Sequence, residues 1–363
     1  MMPETVRQPL LLTPPTSVQP PPLASIIVLN YNGAAWLERC LASLHAQTIF
    51  SQIEIIVADN ASPDHSDRLA AELMRDWPNG RVIQNGCNPG FGGGSNLAVK
   101  QTTGRYLFFL NPDVWLEPDC LERLCQESER ARVGAASNLV LDYETNDVQA
   151  RGAVGFDLFG FMVGPKAGQV PERLFASQGF FFLRRDFFER IGGYDETFFL
   201  YCEEFDLSWR IQTAGEEIVH VPSSRMHHRG AAGENPKGGT KLVELRTSDS
   251  KRFYANRNHL LTILKNAQHV LLLLLLPALA LILAEGLVGA LLLRRWSFLS
   301  RSCLDALVGC WRLRGHVRAE RRRIRAFRRC GDFYLLRFLS CRFSRWHEFK
   351  KVLKLGLPKV DQR

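Results

Sequence analysis

The chain has 363 residues, 46% of them hydrophobic and 23% charged, with a formal net charge of +9. That length and apolar content exclude a wholly disordered polypeptide and allow one large α/β domain with an appendage. Its nine cysteines, Cys40, Cys87, Cys120, Cys125, Cys202, Cys303, Cys310, Cys330 and Cys341, are odd in number and contain no C-x-x-C pair; they predict reduced thiols of a cytosolic compartment, and none is read as a metal ligand.

Residues 1–22 hold Pro14, Pro15 and Pro20 to Pro22 and lack the apolar stretch of a signal peptide, so a disordered leader is expected. From Ala24, apolar runs at Ala24 to Leu29, Ile53 to Ala58 and Arg81 to Ile83 alternate with amphipathic helices at Ala34 to Ala46 and Asp67 to Asp76, the mark of parallel βαβ units. A further strand, Tyr106 to Leu110, runs into Asn111-Pro112-Asp113. Ligands of open α/β sheets gather at the carboxyl ends of strands, which directs attention to Asn30-Tyr31-Asn32, Asp59-Asn60 and Asn111-Pro112-Asp113. A helix over Glu117 to Arg130, irregular chain through Gly152 to Gly168, a strand at Gly179 to Leu183, helices at Arg185 to Ile191 and Glu204 to Thr213, and a last strand at Glu217 to Val221 complete the domain.

Val270 to Leu293 is apolar except for Pro277 and Glu285, and about 24 helical residues cover roughly 36 Å, enough for a bilayer core. Basic residues flank it on both sides, Lys251, Arg252, Arg257 and Lys265 before and Arg294, Arg295 and Arg301 after. A single span would place one flank outside, so a hairpin or in-plane helix with both flanks cytoplasmic is expected. A buried helical hairpin in a soluble domain is the plain alternative. The basic tail, with Arg321, Arg322, Arg323, Arg325, Arg328 and Arg329, suits an anionic membrane surface; it carries no nucleic-acid motif or aromatic interleaving, so no nucleic acid is expected.

Four constellations could carry chemistry. Asp113 at a strand end is a hard oxygen ligand of the kind that holds a divalent cation against a diphosphate, although Asn-Pro-Asp is also ordinary turn chemistry. The run Asn88-Pro89-Gly90-Phe91-Gly92-Gly93-Gly94-Ser95-Asn96 reads as a glycine-rich loop before a helix starting near Ser95. Its N–H groups would face phosphate, or it is a ligand-free connection; it is neither a P-loop nor a dinucleotide fingerprint. Glu203, Glu204 and Asp206 crowd a helix N-terminus, either to complement its dipole or to tune a general base. If the helix starts near Glu203, Glu204 and Ser208 share one face, and Asp206 turns away to pair with Arg210. His227-His228 follows the last strand, where an imidazole could complete a metal shell or simply lie on the surface.

Taken in order, Ile26 to Gly33, Val57 to Ser62, Asn88 to Gly92, Leu110 to Val114, Gly192 to Glu196, Glu203 to Arg210 and His227 to Gly230 make the chain resemble the GT-A glycosyltransferases of family 2, in their bacterial rhamnosyltransferase-like branch. The resemblance implies an α/β fold of GT-A type, a Rossmann-like mixed sheet flanked by helices over residues 23–240, with a helical membrane-associated region at 241–363. It implies Asp59 at the nucleotide base and ribose, and Asn88 and Asn96 lining the nucleotide-sugar pocket; the donor-side set is Asn30, Asn32, Asp59, Asn60, Asn88, Gly90, Phe91, Asn96 and Asn111. It implies Asp113 and His227 as ligands of Mg2+ or Mn2+, and Glu204 as the base of an inverting transfer, although the family usually has aspartate there. The expected partners are a nucleoside diphosphate sugar, dTDP-L-rhamnose foremost, a lipid-linked saccharide or glycan acceptor, and the cytoplasmic face of the bacterial inner membrane. A catalytically inactive sugar-nucleotide-binding or scaffold protein is the second reading.

Overall fold

Residues 20–177, 179–230 and 245–361 are described by a computed structural model of the chain. The proline-rich leader up to residue 19 and the expected domain boundary at 240 lie outside them.

The first half alternates as its apolar runs predict: β1 (Ala24–Asn30), α1 (Leu37–His45), β2 (Ile53–Asp59), α2 (Ser66–Leu73), β3 (Gly80–Gln84), α3 (Gly90–Val99) and β4 (Tyr106–Leu110). Then follow β5 (Val114–Leu116), α4 (Cys120–Ala131), β6 (Ala135–Asp142), the short strands β7 (Val148–Ala150), β8 (Gly155–Asp157), β9 (Met162–Val163) and β10 (Arg173–Leu174), β11 (Phe182–Arg184), α5 (Arg185–Arg190), α6 (Glu203–Thr213) and β12 (Ile218–His228). One ten-stranded mixed sheet runs β10-β12-β6-β11-β4-β1-β2-β3, with β5 on β12 and β7 on β6. β1, β2 and β4 are buried along their whole length, as expected of parallel strands covered on both faces. One core packs α1, α2 and α4 on one face, and a second packs α3, α5 and α6 on the other.

Two elements differ from the sequence reading. The glycines of 90–94 form the first turns of α3 instead of a loop before it. Low helix propensity is overridden by close packing: a Cβ on Gly90 would lie 2.1 Å from the Phe199 carbonyl oxygen, and one on Gly94 would lie 2.6 Å from Leu29. β12 also continues seven residues past Val221, through an irregularity between Val221 and Arg225, to His228.

The C-terminal region is not a separate appendage. It comprises β13 (Arg246–Ser248), α7 (Asp249–Asn266), α8 (Leu275–Leu292), α9 (Trp296–Leu299), α10 (Asp305–Arg312), α11 (Arg314–Phe327), α12 (Asp332–Leu335), β14 (Leu339–Ser340), α13 (Trp346–Leu355) and β15 (Lys359–Asp361). A third core joins Phe205 and Trp209 of α6 to α7, α8 and Leu335. Beneath it lies a buried charge cluster. Asp206 receives both Arg210 Nε (3.0 Å) and Asn266 Nδ2 (2.8 Å). Lys265 Nζ lies 3.0 Å from Asp206 and hydrogen-bonds Asp195, which also meets His316 Nε2 at 2.9 Å. Burial opposes ionisation of Asp206, yet Lys265 and Arg210 together hold its carboxyl below the ordinary range. The basic tail is partly structural too: Arg321 donates to the Leu264 and Ala267 carbonyls and Arg328 to that of Asn266, satisfying the orphan acceptors at the end of α7.

Leu271–Leu292 forms 22 helical residues of mean hydropathy 2.6, of which 28% of the most apolar window is buried. Ala278, Ile282, Gly286 and Ala290, one turn apart, face the protein, while Leu273, Leu276, Val288, Leu291 and Leu292 are exposed. The chain then turns and returns through α9, a π-helical turn at Ser300–Leu304 and α10. The apolar segment is thus one unbroken helix through Pro277 and Glu285, instead of folding back on itself as the expected hairpin would; the chain doubles back only after Leu293.

Removing the central ammonium leaves buried carboxylates short of their counter-charge. Lys265→Met should therefore lower unfolding free energy by about 3–5 kcal/mol, read by denaturant titration in detergent. A loss below about 1 kcal/mol would show that the cluster does not secure α7 to α6.

Candidate active site

The carboxyl ends of β1 and β2 carry a lattice of buried amides. Asn30 and Asp59 are register partners, and Asn30 Nδ2 donates to Asp59 Oδ1 (2.7 Å) and Ser66 Oγ (2.7 Å). Asp59 also accepts from the Ser62 N–H at 2.9 Å and the Ser62 hydroxyl at 2.5 Å. Asn60 donates to the Gly90 carbonyl (3.2 Å) and Asn88 Oδ1 (3.3 Å) and accepts from Asn85 Nδ2 (2.8 Å). Asn88 Oδ1 in turn receives the Gly90 N–H at 3.0 Å, and the exposed Asn32 donates its N–H to Ser62 Oγ at 3.1 Å. These residues come together as the sequence order implied, but most of their side-chain capacity fixes the loop ends and the head of α3. Asn96 behaves likewise, binding the Tyr194 N–H (3.0 Å) and carbonyl (2.9 Å), and Phe91 packs edge-on to Tyr194.

Asn111 and Asp113 lie half-buried between β4 and β5. The imidazole beside Asp113 is that of His228, with Nε2 3.6 Å from Asp113 Oδ2. His227, expected there, points the other way: it stacks on Trp115 at 3.6 Å between ring centroids, and its Nδ1 bonds the Asp142 carbonyl oxygen at 2.9 Å. The reason is strand alternation. Both histidines belong to β12, and neighbouring residues of a strand face opposite sides of the sheet. Burial lowers the His228 pKa against the raising influence of Asp113, so the ring is neutral near pH 7. Its Nδ1 meets Gln149 Oε1 at 2.9 Å, which places the proton on Nδ1 and leaves the Nε2 lone pair facing a carboxylate. Two electron-pair donors facing each other form a fitting seat for a divalent cation, with the outer nitrogen oriented as metal-binding histidines require.

The acids at the head of α6 divide into two environments. Three of the four residues before the helix, none of them glycine, have positive φ: Phe199, Tyr201 and Cys202, at 59°, 68° and 65°. Asn258 of α7 holds this strained turn by donating to the carbonyls of Phe198, Leu200 and Tyr201, each at 2.8 Å. Glu203 and Glu204 follow it. Burial pushes both carboxyls above the ordinary glutamate range, and for Glu203 the charge of Glu204 adds to the rise. Glu203 Oε2 and the Tyr194 hydroxyl are buried without hydrogen-bond partners. Ser208 Oγ bonds the Glu204 carbonyl at 2.7 Å, which places these two on one side of the helix. Asp206, also considered for the reaction, is fully buried among Arg210, Lys265 and Asn266; it is an anchor that no substrate can reach. Its pairing with Arg210 was legible from their i, i+4 spacing, whereas Lys265 and Asn258, both distant in sequence, gave no local signal.

Asp195, His316 and Glu320 also bring three ligand-type atoms together. Lys265 lies against Asp195 and 4.0 Å from Glu320, so a fixed ammonium already balances that cluster.

Residues 25–192 match the model of glycosyl transferase family 2. An N-acetylglucosaminyl-diphospho-decaprenol L-rhamnosyltransferase of Mycobacterium tuberculosis is 28% identical over 243 residues, 58% of this chain and 78% of that protein. Rhamnosyltransferase WbbL of Escherichia coli is 24% identical over 223 residues, 56% and 82% of the two chains. Among solved structures, GalNAc-T7 with UDP, GalNAc and Mn2+ superposes with a TM-score of 0.55 at 18% identity, over 69% of this chain and 49% of that one. The mannosyltransferase PcManGT from Pyrobaculum calidifontis, in complex with GDP-Man and Mn2+, gives 0.51 at 17% identity, over 87% and 89%.

His228→Ala should weaken Mn2+ binding by about tenfold or more, within the range for losing one ligand-shell group, measured by calorimetry with nucleoside diphosphate present. His227→Phe, which preserves the stack on Trp115, should leave Mn2+ affinity within about twofold. The reverse pattern would restore His227 as the ligand.

Proposed function

We infer the reaction from one premise: the chain is a family 2 glycosyltransferase of GT-A fold with rhamnosyltransferases among its relatives. In our reading it moves L-rhamnose from dTDP-L-rhamnose, with inversion, to a lipid-linked saccharide or cell-envelope glycan at the cytoplasmic face of the bacterial inner membrane. The observation that carries a catalytic role, against that of an inactive scaffold, is the pair Glu203 and Glu204, half-buried and raised in pKa at a rigidly held helix head. A structural dipole partner gains nothing from such burial, whereas a general base works best with its pKa brought toward the working pH.

Glu204 takes the proton of an acceptor hydroxyl as that oxygen bonds to the anomeric carbon, while the bond from that carbon to the diphosphate oxygen breaks. Glu203, kept protonated beside it, leaves Glu204 the charged member of the pair. Asp113 and His228 would hold a divalent cation, Mg2+ or Mn2+, which supplies counter-charge to the departing diphosphate. The Asn30–Asp59–Asn60–Asn88 lattice holds the donor pocket in one shape, so little ordering is left to be done on binding. The dTDP-L-rhamnose and lipid-linked assignments draw on the rhamnosyltransferase relatives, one of which carries a diphospho-decaprenol acceptor in its name. The membrane assignment draws on the exposed apolar face of α8, an unfavourable surface in water.

With dTDP-L-rhamnose and a membrane extract as acceptor, Glu204→Gln should lower turnover by about a hundredfold or more while donor affinity stays nearly intact. The base must be ionised, so wild-type kcat/KM should fall as pH drops through a midpoint above the ordinary glutamate value of about 4.3. Near-normal turnover in Glu204→Gln with collapse in Glu203→Gln would move the base by one residue. No transfer by wild type, with donor bound, would leave the scaffold reading.

The basic residues on both flanks, with α8 lying in the plane of the interface, predict that both ends of the apolar segment stay on the cytoplasmic side. A cysteine introduced beside Arg301 should resist an impermeant thiol reagent in intact cells and react after permeabilisation; labelling in intact cells would require a full span.

A further inference from the structure

A groove of about 480 Å3 lies between α8, the returning chain that follows it and α13, a volume within the range of about 300–1,000 Å3 usual for ligand sites. Its walls are apolar, with Leu281, Ile282, Val288 and Leu292 on one side and Trp346 and Phe349 on the other. Val288 and Leu292 are 53% and 56% exposed, so the groove opens on the apolar face of α8. Its polar residues are Arg252 and Asn256 of α7, Glu285, Ser302 and Arg345.

We propose that this groove seats the lipid carrier of the acceptor, an isoprenoid chain between α8 and α13 with its diphosphate at Arg345 and Arg252; the proposal rests on the lipid-linked acceptor proposed above. Three observations support it. Arg345 is fixed in place, its guanidinium 4.3 Å from the Phe161 ring and its Nε 3.5 Å from Glu285, and that nitrogen is buried without a hydrogen bond. A planar guanidinium held this way suits phosphate oxygens. Glu285 is the one acid in an otherwise apolar helix, and an ionisable residue in such a segment marks a functional position when it faces a partner. The polar side of the groove adjoins the catalytic helix: Asn256 lines the groove, and the carbonyl of its neighbour Ala255 lies 3.9 Å from the thiol of Cys202, which immediately precedes Glu203. A diphosphate at Arg345 and Arg252 would lie across α7 from the turn that precedes the two glutamates. A phospholipid shares the phosphate chemistry, but nothing about it requires a seat so placed.

The test uses the full chain in detergent with two acceptors that carry the same saccharide, one on a long isoprenoid diphosphate and one on a short water-soluble diphosphate. Val288→Trp, which fills the groove from its exposed rim, and Arg345→Gln should each raise KM for the long-chain acceptor by about tenfold or more. Val288→Trp should leave the short-chain acceptor and donor affinity unchanged. Equal effects of Val288→Trp on both acceptors, or on neither, would overturn the groove while leaving the transferase reading intact. Binding is read separately by titrating the long-chain isoprenoid diphosphate, without saccharide or donor, against intrinsic fluorescence, with Trp346→Phe as the control. A Trp346-dependent change that Val288→Trp abolishes would uphold the groove even if no transfer were seen. The same change with phosphatidylglycerol micelles at equal concentration would overturn it in favour of a general membrane-lipid seat.

Discussion

The site depends on one ammonium group. Lys265 Nζ is buried against Asp195 and Asp206, and these two carboxylates belong to the segments that frame Glu203 and Glu204. Asp195 caps the short helix at Glu196–Phe198, and Asp206 lies within the first turn of α6. Removing so many charges from water is unfavourable unless each finds a partner, and here Arg210, Asn266 and His316 supply the remainder. The cluster therefore adds less to stability than to geometry. It allows one relative placement of α6, α7 and the turn between them, and Asn258, seven residues before Lys265 on α7, holds the strained carbonyls of that turn. Residues beyond the family match at 25–192 thus fix the head of α6.

That arrangement separates the chemistry of three acids lying within four residues. Asp206 is ionised because cations surround it. Among the described residues Glu203 and Glu204 have no such cation, and burial raises both carboxyls against the lowering influence of backbone N–H groups. Carboxyls of opposite tuning thus sit on one helix turn: Asp206 held ionised as an anchor, Glu203 and Glu204 raised toward the range where a carboxyl can exchange protons. The positive end of the helix dipole moderates the burial of all three.

Much of this was legible in the sequence. Parallel βαβ order, the polar strand ends and the Asp206–Arg210 pair follow from local periodicity, and so does the long apolar helix after α7, although not as the hairpin expected of it. Three features were not legible, for different reasons. The register of His227 and His228 depends on β12 persisting past Pro222, Ser223 and Ser224, residues that read as the end of a strand; only pairing with β5 and β6 carries the strand through them. The glycines at 90–94 read as a loop because their helix propensity is poor, yet contacts with the Phe199 carbonyl, Tyr194 and Asn60, all remote in sequence, leave room for no larger residue. The arginines of the tail look alike as a charge run, but Arg321 and Arg328 cap α7 whereas Arg322, Arg325 and Arg329 remain exposed.

The last constraint concerns how an apolar helix and a polar active site share one supporting helix. α7 has two working sides: Arg257, Asn258 and Lys265 face the catalytic turn and charge cluster, while Asn256 bonds the Ser302 carbonyl at 2.9 Å in the chain returning from α8. α8 and that returning chain approach closely because α8 presents small residues; a Cβ on Gly286 would lie 2.4 Å from Cys303 Sγ, and one on Gly289 would lie 2.7 Å from the Phe298 ring. Close packing of this kind is stiff, since interiors at crystal-like density transmit displacement instead of absorbing it. A shift of α8 in its surroundings is therefore passed through α7 to the turn that aims Glu203 and Glu204. The same rigidity that lets a distant lysine fix the turn before Glu203 and Glu204 holds those two carboxyls at a set distance from the apolar face of α8.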